Sequence, residues 1–162
     1  GVGNIGATEV KNLVEEHKRH TGNAPIVIID YLQILAPYDL RATDKQNTDK
    51  AVIELKRMSR DYKTTVIGIS SFNRQNYKER VSMASFKESG AIEYTSDVLL
   101  GLQFQILGDN DIKPSNIDLT EEYRKEPRTV QVSVLKNRNG QTGTNVSYDY
   151  YAKFNYFKET GF

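Results

Sequence analysis

Nine residues constrain this chain more than any others: Pro25-Ile26-Val27-Ile28-Ile29-Asp30-Tyr31-Leu32-Gln33. A short run that is apolar throughout, rather than alternating, reads as a parallel strand buried on both faces. Asp30 then stands at the C-terminal end of that strand, on the edge where open α/β sheets bind their ligands. In phosphoryl-transfer sites an acid there holds a water on magnesium; an acid in the same place can also simply cap a neighbouring loop. A working nucleotide site needs a phosphate-cradling G-x-x-x-x-G-K-[ST] loop as well, and the 162 residues contain none.

The pattern downstream extends this strand into a β-α-β unit. A helix is expected from about Gln46 to Tyr62, with Val52, Leu55, Met58 and Tyr62 on one face. The β-branched segment Thr64 to Ser70 follows as a strand. A helix lying between two strands implies that they run parallel, with a right-handed crossover. Upstream, Val10, Leu13 and Val14 mark a helix capped by Thr8, which ends near His20 before the stop signal Thr21-Gly22-Asn23.

Residues 71–87 are polar and basic, long for a loop, and such loops usually carry function or move. Asp97 to Leu102 reads as another buried strand. A polar insert follows over 105–128, with a short helix near Leu119 to Lys125. Val130, Val132 and Val134 alternate in a strand over Thr129–Leu135, and Asn145 to Lys158 supplies two strands joined tightly near Tyr151-Ala152-Lys153. The expected class is α/β: a mostly parallel sheet flanked by helices, with antiparallel strands at the C-terminal end.

Bulk chemistry narrows the function. Twenty-two Lys and Arg against 21 Asp and Glu leave a net charge of +1. That excludes a strongly basic whole-domain surface, though local basic loops suffice to hold a nucleic-acid backbone. With no cysteine and only His17 and His20, disulfides and Cys-based zinc sites are excluded and a histidine metal site or triad has little support. No apolar stretch approaches the roughly 18 residues that span a bilayer, and no signal-peptide pattern opens the chain. A soluble cytoplasmic protein without membrane partners is the expectation. Of the ten tyrosines, Tyr148, Tyr150, Tyr151 and Tyr156 read as half-buried strand residues, with base stacking as the alternative.

Three further clusters can carry chemistry. Ser70-Ser71-Phe72-Asn73-Arg74 closes the second parallel strand and brings hydroxyls, an amide and a cation to the same edge as Asp30. A polar residue there can sense a γ-phosphate; an ordinary turn is the plainer alternative. Lys136-Asn137-Arg138-Asn139-Gly140-Gln141-Thr142-Gly143 sets two cations on one face of a strand end, before glycines that permit a tight turn. Such a hairpin is either a solvated turn or a device that reaches a phosphate on a neighbouring subunit. An arginine supplied in that way is worth about 10³–10⁵ in rate. Phe86-Lys87-Glu88-Ser89-Gly90-Ala91-Ile92-Glu93 combines a cation, a glycine and a helix start, which suits a phosphate backbone or an ordinary capped loop. Arg74, Lys78, Arg80 and Lys87 make the region basic.

In this order, the segments resemble the C-terminal motor domain of DnaB-type replicative helicases, a family with a RecA-like core. Ile28-Ile29-Asp30-Tyr31-Leu32-Gln33-Ile34-Leu35 is similar to its Walker B strand, I-D-Y-L-Q-L. Ile69-Ser70-Ser71-Phe72-Asn73-Arg74 is similar to its S-Q-L-N-R stretch. Lys87-Glu88-Ser89-Gly90-Ala91-Ile92-Glu93, followed by Asp97-Val98, resembles R-E-S-G-x-I-E-x-D-A-D-V, and Lys136 to Gly143 resembles K-N-R-N-G-P-T-G. The likeness runs from about residue 8 to 158, and Tyr156-Phe157 falls where the family closes with a final strand.

The resemblance implies a ring, typically a hexamer, that moves on single-stranded DNA using ATP and Mg2+, with a primase or a loader as further partner. It implies that Asp30 is the magnesium-site acid and that Ser71 occupies the position of a glutamine facing the γ-phosphate. It implies that Lys136 and Arg138, the latter as arginine finger, reach the nucleotide of the adjacent subunit, and that Arg74, Lys87, Glu88 and Gly90 lie in the DNA-gripping region. Because the phosphate loop and the strand bearing the family's catalytic glutamate are not in the sequence, residues 1–162 are expected to be a partial motor domain lacking its N-terminal part. Such a piece should be inactive alone and should expose apolar surface. A stand-alone, non-catalytic RecA-like domain that binds single strands or docks on a helicase is the competing expectation. A RecA-like ATPase of the recombination or clock type is a weaker one, because the K-N-R-N-G run is particular to the helicases.

Overall fold

The computed structural model describes residues 5–72, 77–86 and 90–160. They divide into two units, one of Gly1–Ser71 with Phe86–Ser96, the other of Phe72–Ser85 with Asp97–Phe162.

In the first unit, helix α1 (Ala7–Thr21) precedes strand β1 (Val27–Ile29), helix α2 (Asp44–Tyr62), strand β2 (Val66–Gly68) and the short helix α3 (Gly90–Thr95). The start of α1 corrects the expected cap. Thr8 lies inside the helix, and it is the Gly6 N–H that donates to the Glu9 carboxylate at 2.9 Å. The stop falls where expected: Gly22 adopts φ 80, and its N–H donates to the Lys18 carbonyl at 2.8 Å. The start of α2 is a capping box. Thr43 Oγ1 accepts from the Gln46 N–H at 3.2 Å, and the Gln46 side chain accepts from the Thr43 N–H at 2.9 Å.

β1 and β2 pair in parallel, with Val27 opposite Val66, Ile28 opposite Ile67 and Ile29 opposite Gly68, as the β-α-β spacing requires. Both are three residues long, shorter than the apolar runs that contain them. The core of this unit gathers Ala7, Val14, Ile29, Leu32, Ala51, Leu55, Met58 and Ile92. Leu13, expected on the buried stripe of α1, is exposed. The expectation of a strand buried on both faces is also corrected. Ile29 is buried, but Ile28 is 68% exposed, and Ile26, Ile67 and Ile69 are exposed with it. Strand alternation sends Ile26 and Ile28 to one face and Ile29 to the other, and the register adds Ile67 to the isoleucine face. The side chain of Leu32 covers the opposite face, lying directly over Gly68, where an added Cβ would come within 3.0 Å of it.

The second unit is a four-stranded antiparallel meander, β3 (Val98–Phe104), β4 (Arg128–Asn137), β5 (Asn145–Tyr151) and β6 (Tyr156–Glu159), in that spatial order. These are the expected antiparallel C-terminal strands; among the described residues, parallel pairing is confined to β1 and β2. β3 was expected to be a buried strand and is buried on one face only: Leu99 is buried, whereas Val98, Leu100 and Leu102 are exposed. Val81 packs onto Gly101 so closely that a Cβ there would approach a Val81 methyl to 2.5 Å. Gln103 Oε1 accepts from the Val81 N–H at 2.7 Å, and Gln131 Nε2 donates to Ser133 Oγ at 3.0 Å, so this core is partly polar, with the buried Gln103 Nε2 left without a partner among the described residues.

Helix α4 (Leu119–Arg124) forms in the polar insert as expected, with Asp118 accepting from the Thr120 N–H at 2.8 Å. Tyr148, Tyr150 and Tyr151 are half-buried, and Tyr156 is exposed. Tyr150 stacks on Phe157 with ring centroids 4.4 Å apart. A hollow of about 380 Å³ is lined by Phe104, Leu119, Tyr123, Arg128, Tyr150 and Phe157, among others.

Candidate functional site

In the first unit the parallel pair decides where the polar groups go. The ladder continues past β1 and β2: the Ile69 N–H donates to the Ile29 carbonyl at 2.9 Å, and the Leu32 N–H donates to the Ile69 carbonyl at 2.8 Å. Asp30 and the Ser70-Ser71 pair therefore leave the sheet side by side, at the C-terminal ends of adjacent strands. Asp30 and Ser71 are both exposed. The Asp30–Tyr31 peptide is cis. Gln33 Nε2 donates to Ser70 Oγ at 2.8 Å, a partnership that residue type alone did not reveal.

The helix start at Gly90 differs from a free anion site. The Ala91 N–H, at the beginning of α3, donates to Asp49 Oδ1 at 3.0 Å. Asp49 sits on α2 and acts as a cap supplied from another helix. No local signal marked it, since its partner is 42 residues away in sequence. Arg74, Lys87 and Glu88 lie outside the described residues. Arg80, counted among the basic loop residues, spends its guanidinium on the Gly108 carbonyl and the Asn110 side chain, and so ties two loops of the second unit together.

Lys136 and Arg138 belong to the second unit. Lys136 is half-buried near the end of β4, opposite Leu99. Arg138 follows the last residue of β4 and is exposed. Its N–H donates to the Asp97 carbonyl at 2.8 Å, and its Nη1 lies 3.1 Å from Asp97 Oδ1. Directly opposed residues share a face, as do residues two apart on a strand. Lys136, Arg138 and Asp97 therefore stand on one face. The hairpin beyond is built as the glycines suggested. Gly143 takes φ 80, and its N–H donates to the Val134 carbonyl at 2.8 Å. Gly140 admits the Asn137 side chain, which would lie 2.5 Å from a Cβ there. Asn137 Oδ1 also accepts from the Asn139 N–H at 3.3 Å.

Among the described residues, no three His, Cys, Asp or Glu side chains cluster to hold a metal ion. Among the described residues no helix is long and apolar enough to cross a membrane.

Residues 2–159 match the family model described as the DnaB-like helicase C terminal domain. The replicative DNA helicase DnaB of Helicobacter pylori is 30% identical over 174 residues, covering 91% of this chain and 33% of that protein. DnaB of Mycoplasma genitalium is 27% identical over 142 residues, covering 83% of this chain and 28% of that protein. The chain thus spans about a third or less of the length of the curated relatives it matches. Solved structures share its fold, two among them in particular. One, an ATPase domain, has a TM-score of 0.76 at 23% identity, covering 98% of this chain and 52% of that one. The other, a DnaB-like replicative helicase solved to show its interactions with primase, has a TM-score of 0.75 at 24% identity, covering 95% and 35%. The fold is RecA-like and α/β, and the chain belongs to the DnaB-like helicase C-terminal domain family.

Proposed function

We propose that residues 1–162 form the C-terminal portion of the motor domain of an ATP-dependent replicative-type DNA helicase, which works as a ring, of hexameric type, translocating on single-stranded DNA and unwinding duplex. The observation that carries this reading is the β1-α2-β2 unit, whose parallel register sends Asp30 and Ser70-Ser71 out at one sheet edge. Family membership supports it.

In this reading Asp30 holds a water of the magnesium ion, and the ion, when bound with ATP, neutralises charge on the β- and γ-phosphates. Ser71 faces the γ-phosphate. Lys136 and Arg138 reach the nucleotide of the adjacent subunit, where Arg138 offsets charge that develops during phosphoryl transfer. Arg74, Lys87, Glu88 and Gly90 contact the DNA backbone, a contact that needs cations and main-chain N–H groups but no base reading. Since the 162 residues hold no phosphate loop, this stretch does not turn over ATP by itself. A primase or loader is the expected further partner; one structural neighbour is a DnaB-like replicative helicase described together with its interactions with primase. A cytoplasmic setting is part of the same reading.

The test is ATP hydrolysis and forked-duplex unwinding by the full-length protein and its Asp30→Asn and Arg138→Ala variants. Both variants should lose turnover, with Arg138→Ala down about 10³–10⁵-fold while nucleotide binding is largely kept. Wild-type turnover in either would remove that residue from its role. A native gene product of 18.4 kDa that binds single strands without hydrolysing ATP would instead establish the stand-alone binding domain.

A further inference from the structure

Arg138 is held at two points by one residue. Asp97 immediately precedes β3 and Arg138 immediately follows β4, so they face each other where the Val98–Asn137 pairing ends. The Asp97 carbonyl takes the Arg138 N–H at 2.8 Å, and the Asp97 carboxylate lies 3.1 Å from the guanidinium. The two contacts differ in kind. The main-chain bond extends the ladder and holds the root of the hairpin. The ion pair joins side chains that are 52% and 49% exposed, and pairs so open to water are weak and readily exchanged.

A guanidinium parked on a single half-exposed carboxylate has a better partner in a nucleotide phosphate, which carries more charge and offers a planar fork several acceptor oxygens. The hairpin is stiffened on the other side of Arg138, with Asn137 packed against Gly140 and bonded to the Asn139 N–H at 3.3 Å. The backbone at Arg138 can therefore stay in place while its side chain changes partner.

We propose that Asp97 is the positioning residue for Arg138. It holds the guanidinium at the hairpin root while the neighbouring site is empty, and releases it to the phosphate when that site fills. The inference rests on the role given to Arg138 above. Asp97 does not itself meet the nucleotide, and the exchange makes or breaks no covalent bond.

The experiment is steady-state ATP hydrolysis by the full-length protein, comparing wild type with Asp97→Ala, Asp97→Asn, Asp97→Glu, Arg138→Ala and the double variant Asp97→Ala/Arg138→Ala. Without a carboxylate to leave, the arginine should be captured more readily. KM for ATP should fall about two- to fivefold in Asp97→Ala, with the smaller change in kcat. Asp97→Asn keeps size and an oxygen acceptor, so it should shift KM the same way by less, and it carries the test alone if Asp97→Ala does not fold. Asp97→Glu should return KM toward wild type. In the double variant, nucleotide affinity, read by direct binding of a fluorescent ATP analogue because turnover is lost, should equal that of Arg138→Ala. An unchanged KM in the Asp97 variants, beside an Arg138→Ala protein that has lost turnover, would overturn the exchange and leave the arginine's own role standing. Normal turnover in Arg138→Ala would sink that role, and the exchange with it.

Discussion

The side chain of Gln33 bridges the ends of the two parallel strands by donating from Nε2 to Ser70 Oγ at 2.8 Å. The Ser70 hydroxyl is thereby engaged within the protein, and the exposed side chain at the family's glutamine position is Ser71. The serine side chain is two bonds shorter than that of glutamine. Ser71→Gln in the full-length protein is expected to raise the stimulation of ATP hydrolysis by single-stranded DNA. Rates measured with and without DNA check this, and an unaltered stimulation ratio would mean that position 71 does not face the γ-phosphate.

Backbone recognition by the basic loop has a signature in salt. If Arg74, Lys87 and their neighbours hold phosphates, log K for single strands should fall by about 0.7 per phosphate contact for each tenfold rise in salt. Titration of the full-length protein at several salt concentrations measures the slope. A flat line would exclude phosphate contacts as the source of affinity.

Asp49 anchors the start of α3 from α2 through the Ala91 N–H. Asp49→Ala removes that acceptor, and the cost should fall in the range of a lost helix cap, about 0.5–2 kcal/mol. Chemical denaturation gives the energy, and hydrogen exchange gives the place: the Ala91 amide should exchange faster. Unchanged protection at Ala91 would show that this contact does not hold the helix start.

Gly68 leaves room for Leu32, and a Cβ there would sit 3.0–3.3 Å from three Leu32 side-chain carbons. Gly68→Val should gain strand propensity but push Leu32 from the core, a net loss of about 1–3 kcal/mol. Because Leu32 follows Asp30 by two residues, the same change should disturb the sheet edge. Thermal melts of wild type and variant decide it, and an equal or higher Tm would refute the packing argument.

Much of the architecture was legible because it is local. The alternation of Val130, Val132 and Val134, the stop at Gly22 and the helix between two apolar runs depend on residues a few positions apart. So the parallel pair β1 and β2, the helices α1, α2 and α4 and the C-terminal meander stand close to where the pattern put them. The isoleucines were misread for a related reason. An apolar run shows that a strand is suited to burial but does not say what covers each face, and Ile26, Ile28, Ile67 and Ile69 remain exposed.

By itself, the sequence determined the order of elements, the strand-end position of Asp30 and the hairpin that carries Lys136 and Arg138, since periodicity and turn chemistry act over short separations. Only the tertiary structure decided which polar groups meet: Gln33 with Ser70, Asp49 with the Ala91 amide, Asp97 with Arg138. Hydrogen bonds and ion pairs form through space at about 3 Å, and residues some forty positions apart reach that distance only once the strands and helices between them have packed.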